Sequence, residues 1–256
     1  MGLCLSPGLA LGEATPLQIS TVTQVSDQGK VSIALTLKNI GSRPLFHVHP
    51  MFHFHHTMSR MPMISKLEPQ QSLTIKNDRH PSVLRIGSYP LVAVVNYKNS
   101  PNESPVMTAI HTDSFSYVEP MVSTIVGKIG SEVGRDQSFL KISLRNNSSS
   151  FKNIRMMLIL PPGLMAENFK GLMGFTIHSG EEKFFEIPVL QVAGRPGENY
   201  PVHLLVEYGE MLNHYSGEIR GHIDFGPWMG GSGRWPQLLV FAFLAVTLLL
   251  AVRRRS

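Results

Sequence analysis

The feature that most constrains this chain is that it repeats itself. Gly87–Tyr97 reads GSYPLVAVVNY, and Glu198–Tyr208 reads ENYPVHLLVEY, with Tyr97 and Tyr208 111 positions apart. Leu35–Val48 (LTLKNIGSRPLFHV) resembles Ile142–Met156 (ISLRNNSSSFKNIRM), with Lys38 and Arg145 107 positions apart. The difference of four is one small loop insertion. A repeat of this length implies two similar units, each with a core of its own.

Within the units the apolar residues alternate. Val31, Ile33, Leu35 and Leu37 are separated by Ser32, Ala34 and Thr36, and Leu140, Ile142 and Leu144 by Lys141 and Ser143. Val202, Leu204, Val206 and Tyr208 form a third such set. Period two is the mark of a half-buried strand. Turn-forming clusters at Asn39–Pro44, Lys98–Pro105, Asn146–Ser150 and Gly194–Asn199 separate the runs. The spacing predicts an all-β body of two tandem immunoglobulin-like β-sandwiches, residues 15–120 and 121–226, with a boundary near Glu119–Val122. The expected cores are Val31, Ile33, Leu35, Leu37, Phe46, Val48 and Tyr97 in the first, and Leu140, Ile142, Leu144, Val206 and Tyr208 in the second.

Composition narrows the function classes. With 43% hydrophobic and 16% charged residues, the chain is too apolar to be disordered. One cysteine, Cys4, leaves no disulfide framework and no thiolate metal cluster. The net charge is +5, and three of the positive charges are Arg253, Arg254 and Arg255. The body is therefore near neutral, which argues against a nucleic-acid partner. There is no G-x-S-x-G elbow, no HExxH and no GxGxxG in the chain, so the expectation is a protein that is not an enzyme. Asn102, Asn146 and Asn147 each head a glycosylation sequon, a motif common by chance.

The ends suggest a membrane setting. Trp235–Val252 is a run of 18 residues without a charge. As a helix it would extend roughly 27 Å, close to a bilayer's hydrocarbon thickness. The arginines that follow it place the C-terminus in the cytoplasm and the body outside. The expected order is a signal-peptide remnant (1–14), the two sandwiches, a Gly-rich linker (227–234), one transmembrane helix (235–252) and a basic cytoplasmic tail (253–256). The expected location is the cell membrane, single-pass, with the lipid bilayer as one partner. A body without cysteine suits a bacterial envelope.

Five of the 11 histidines fall within ten residues, in LFHVHPMFHFHHTM. On a strand His47, His49, Met51, His53 and His55 would share one face, opposite Phe46, Val48, Phe52 and Phe54. His47, His49, His53 and His55 are therefore candidate ligands for Cu, Zn or Ni, which neutral imidazole suits. Against this, no carboxylate lies in the segment, Pro50 is expected to interrupt the strand, and the second repeat carries no ligands at these positions. A solvated strand face is the competing reading.

The strand ending in LTLKNIGSRPL, the turn Leu67-Glu-Pro-Gln-Gln-Ser-Leu-Thr-Ile and the strand GSYPLVAVVNY together resemble bacterial and archaeal immunoglobulin-like modules of the CARDB and NEW3 type. The resemblance implies tandem extracytoplasmic domains before a C-terminal membrane anchor. It also implies a binding, adhesion or scaffold role, with an envelope protein or polysaccharide as partner. The alternative is an envelope metal-binding protein that uses the His-rich strand 47–56.

Overall fold

The computed structural model describes residues 15–54, 57–102, 106–134, 137–169, 171–192 and 199–226. The expected leader, linker, membrane helix and tail lie outside the described residues, as does His55. Among the described residues every regular element is a strand, and no helix is long and apolar enough to cross a membrane.

The strands run in chain order. The first repeat supplies β1 (Leu17–Val25), β2 (Val31–Asn39), β3 (Leu45–Phe54), β4 (Thr57–Arg60), β5 (Ile64–Leu67), β6 (Ser72–Asn77), β7 (Ile86–Lys98) and β8 (Met107–Tyr117). The second supplies β9 (Ile125–Val133), β10 (Ser138–Asn146), β11 (Lys152–Ile159), β12 (Leu164–Ala166), β13 (Leu172–Ile177), β14 (Glu182–Gln191), β15 (Asn199–Glu210) and β16 (Asn213–Asp224). In the first, β1-β2-β6 faces a sheet in which β3 and β7 are central, with β4 and β5 on β3 and β8 on β7. In the second, β12-β14-β10-β9 faces β13-β11-β15-β16. The arrangement is an immunoglobulin-like β-sandwich build. The units differ at one short strand, since β4 pairs β3 whereas β12 pairs β14.

Alternation fills the cores as the period predicts. Val31, Ile33, Leu35 and Leu37 of β2 are fully buried against Val48, Phe52, Leu91, Val95 and Tyr97. Leu140, Ile142 and Leu144 of β10 are buried against Ile154, Met156, Val202, Leu204, Val206 and Tyr208. Burying one such side chain contributes about 2 kcal/mol, so each face outweighs any single polar contact.

The repeat also fixes matching polar devices. Buried Asn39 donates from Nδ2 to the carbonyls of Arg43 and Leu67 at 2.8 and 3.0 Å, and its Oδ1 accepts from Gly41 N at 3.0 Å. Buried Asn146 donates to the Ser150, Ile177 and His178 carbonyls at 2.7, 3.3 and 3.2 Å and accepts from Ser148 N at 3.0 Å. Each amide ties the turn after β2 or β10 to the other sheet, satisfying backbone groups that burial would otherwise orphan. That burial also removes the Asn146 sequon as a surface glycan acceptor. Tyr97 OH meets Thr15 Oγ1 at 3.3 Å, and Tyr208 OH meets Thr124 N and Oγ1 at 2.9 and 3.1 Å. Each tyrosine latches the entry of its unit's first strand.

Two expectations for the histidine strand need correction. The register of β3 against β7 shifts between Phe46 and His49, and His47 has φ +50°. This is a β-bulge, which adds one residue and restarts the alternation. Leu45 thereby takes the core position and Phe46 turns half outward, with the Lys66 ammonium 5.8 Å from its ring centroid. The bulge lifts His47 out of the alternating row. Pro50 does not break the strand: it is buried, pairs across from Val95, and its carbonyl accepts from Met61 N at 3.0 Å.

The two sheets built on β7 and β15 are joined. β16 runs parallel to β7 for two residues, Asn213 opposite Ile86 and His214 opposite Gly87. Gly87 has φ +141°, and a Cβ there would lie 1.8 Å from the His214 carbonyl oxygen, so only glycine lets the strands meet. Val92 and Leu205 are 1% and 2% exposed, yet belong to neither core cluster. Val92 lines a crevice with Met157 and Leu172, and Leu205 lines one with Pro90 and Thr112. The outward faces of the two units therefore cover each other.

Candidate functional site: the cleft at the junction

The junction encloses a cavity of about 430 Å³ lined by Ser82, Leu84, Arg85 and Tyr89 from the first unit and Asn153, Arg155, Glu207, Tyr208, Gly209 and His214 from the second. Strand geometry places each group. On β15 the even residues 202–208 point into the core, so Glu207 points outward, opposite Arg155 on the neighbouring β11. His214 opens β16, where the parallel pairing brings it onto β7. Its ring stacks on Tyr89 with centroids 4.0 Å apart and planes 4° from parallel, and its Nδ1 lies 2.8 Å from the Ser88 carbonyl. A carbonyl accepts, so Nδ1 carries the proton and Nε2 faces the Glu207 carboxyl, 4.0 Å away.

Glu207 and His214 are both buried, at 7% and 6% exposure. Burial pushes the Glu207 carboxyl up to about 7, with Arg155 pulling it back down. The proton on this acid is therefore exchanged close to neutral pH. Arg85 reaches across the opening, its Nη1 occupying the space that a side chain at Gly209 would take, 1.8 Å from an ideal Cβ. Among the described residues neither Arg85 nor Arg155 forms an ion pair. The cleft combines two available cations, a titratable acid, an imidazole and amide and hydroxyl groups. Such a set recognises polar ligands.

A second polar cluster crosses the junction. Glu218 Oε1 accepts from Thr112 Oγ1 at 2.8 Å and lies 2.7 Å from His203 Nδ1, and Arg220 Nη2 lies 2.8 Å from Oε2. Burial pushes this carboxyl up, but the hydrogen bonds from Arg220, His203 and Thr112 outweigh it and hold it down at about 2. The carboxylate sits between hydroxyl and imidazole. Thr112 thus donates to the acid and is not activated by the histidine, so this is a clamp between units and not a nucleophile with its base.

Of the histidines singled out in the sequence, His47, His49 and His53 are among the described residues, and these three do not gather into one cluster. His47 stands exposed on the bulge, while His49 and His53 keep the face opposite Val48, Phe52 and Phe54. His53 lines the crevice with Val92 and Met157 and is half-buried, which lowers its pKa. Among the described residues no three His, Cys, Asp or Glu side chains are placed to hold one metal ion. Sequence reasoning passed over His80, which is buried edge-on against Phe52 and Phe54 with ring centroids 5.9 and 5.6 Å away. It also passed over Arg85, Arg155, Glu207 and His214. One signal was present for Glu207: it is the single acid in the apolar run PVHLLVEY, at the position of Asn96 in the first repeat.

No family model matches the chain, and no curated protein matches it. Among solved structures it is similar to trypsin-activated alpha-2-macroglobulin from Escherichia coli, with 9% identity over 82% of this chain and a TM-score of 0.33. This chain spans 18% of that protein's length. It is also similar to the YadV chaperone, with 14% identity, 82% of this chain, all of the other and a TM-score of 0.33. A protein of unknown function from Porphyromonas gingivalis W83 gives 13% identity, 82% and 100% coverage and a TM-score of 0.30. None of these three matches carries the name of a CARDB- or NEW3-type module.

Proposed function

We propose that this chain is a single-pass, membrane-anchored binding protein of the bacterial envelope, with two tandem immunoglobulin-like sandwiches outside the membrane and a ligand site in the cleft between them. Its role is adhesion or scaffolding rather than catalysis. The supporting observation is the cleft: about 430 Å³ of space whose walls come from both units and whose cations have no ion-pair partner among the described residues. A cavity of that size suits one or two residues of a polymer or a small ligand. The charge-free run Trp235–Val252 followed by three arginines supports the anchor.

The test is retention of the full-length chain on fractionated envelope, polysaccharide and protein fractions separately, with and without Gly209→Phe. A phenyl group at 209 would displace Arg85 and fill the opening. At least tenfold weaker retention is expected; retention unchanged by the substitution would remove the cleft from the proposal. For topology, alkaline phosphatase fused after Phe225 should be active and after Ser256 inactive. The opposite pattern would place the body in the cytoplasm.

A further inference from the structure

The cleft has a charge arrangement that its fold does not require. Neither the core clusters nor the β7–β16 ladder uses the guanidinium groups of Arg85 and Arg155. Both side chains are exposed, one from each unit, and both line the same cavity. We propose that this cavity takes its ligand through a carboxylate group, seated between Arg85 and Arg155. This rests on the reading of the cleft as a binding site and names the chemistry it selects.

Three observations carry the inference. Arg85 is held over Gly209, a position where any side chain would displace it, so its reach into the opening is built into the backbone. Arg155 stands directly across the β11–β15 ladder from Glu207, so the nearest internal acid faces the cation that a ligand would use. Among the described residues, the other titratable groups lining the cavity are His214 and Tyr208 from the second unit and Arg85 and Tyr89 from the first, and none of them adds a second negative charge near neutral pH. With Glu207 ionised the two guanidinium groups leave one positive charge uncompensated, which a monoanion balances. Planar guanidinium groups also match the geometry of a carboxylate better than a point cation would.

Glu207 then sets the pH dependence. Ionised, it competes with the ligand for Arg155; protonated, it leaves that guanidinium to the ligand. Because its carboxyl titrates at about 7, ligand binding should retain the proton and strengthen as pH falls.

Acetate is the probe for the carboxylate, and acetamide is its neutral isostere. The full-length chain, labelled with 15N-arginine in detergent micelles, is titrated with each at constant ionic strength. Expected are saturable shifts of the Arg85 and Arg155 Nε–Hε signals with one Kd, at least tenfold tighter than the response of Arg60 and Arg145. That Kd should weaken about tenfold from pH 6 to pH 8, and Glu207→Gln should remove the pH dependence. Equal, non-saturating shifts at all four arginines would mean adventitious ion pairing only and overturn the proposal. Acetamide shifting the cleft signals as strongly as acetate would overturn the carboxylate while leaving the cleft a binding site. Saturable acetate binding with a Kd unchanged by pH would overturn the role of Glu207. A cleft silent to both probes, with envelope retention still lost in Gly209→Phe, would sink the carboxylate and spare the binding reading.

Discussion

The two repeats solve the same folding problem and then part at a few positions. Asn39 and Asn146 tie the same turn, and Tyr97 and Tyr208 latch the same strand entry. Where Leu45 is buried in the first unit, Lys152 is buried in the second at 3% exposure. Its Nζ lies 2.6 Å from Glu210 Oε1 and 2.7 Å from Ser150 Oγ. The first unit has Asn99 where the second has Glu210, so it carries neither half of that pair. Asn96 donates nothing unusual to its unit: its Oδ1 accepts from Thr108 on the adjacent strand, whereas Glu207 faces the junction as a buried acid. Positions that kept their task hold the sandwich together. Of the positions that changed it, Glu207 faces the junction, whereas Lys152 lies on the core-facing side of β11 with its ammonium over the Tyr208 ring.

The largest effect is expected from forcing the second unit's choice on the first. Leu45→Lys would bury an ammonium group with Asn99 in place of a carboxylate. It should destabilise the first unit by about 4 kcal/mol. Urea unfolding followed at Tyr97 reads this, and a loss under 1 kcal/mol would show that the position is open to water.

Glu207→Gln is next, and its effect depends on pH. The carboxyl titrates near 4.5 when unfolded and at about 7 when folded, so the folded state holds the proton more tightly. The stability it contributes is full below about 4.5 and is lost as pH rises through 7. Wild type should therefore lose about 3 kcal/mol relative to the Glu207→Gln protein between those values. Parallel stability curves for the two proteins would contradict a buried acid at the junction.

Asn39→Ala and Asn146→Ala should each cost about 2–3 kcal/mol, because each strands buried carbonyls and one amide. The comparison predicts similar losses in the two units. A difference above about 2 kcal/mol would mean that the knots are not equivalent. The smallest effect is expected from Lys152→Leu, which gives the second unit the first unit's residue. Glu210 is 36% exposed and can return to water, so the change should fall within about 1 kcal/mol. A larger loss would show that the ion pair determines the fold of that unit.

The strands and most of the core were legible because alternation reports one buried face directly. Phe46 was misplaced for a definite reason. Leu45 and Phe46 are both apolar, and a bulge changes which of them faces inward without changing the composition of the run. The junction was harder to see because alternation does not say what covers the opposite face. The unbroken apolar run Leu91-Val92-Ala93-Val94-Val95 did carry that information, since a strand apolar on both faces is covered on both. The cluster at the cleft draws on residues from 82 to 214, brought together by two residues of parallel pairing that no local pattern encodes. The histidine run drew attention by density, yet density along a strand does not set direction in space, and the bulge parted His47 from its neighbours.

The most direct test of the account is the titration of two glutamates three residues apart on β15, followed by their side-chain carboxyl 13C signals. Glu210 is held below the usual carboxylate range, chiefly by its hydrogen bond from Lys152, and Glu207 is raised to about 7 by burial in the junction. Glu207 should titrate near neutral pH, while Glu210 should titrate below the ordinary glutamate range. A Glu207 that titrates alongside an ordinary exposed glutamate, near 4.5, would contradict a closed junction and with it the site built there.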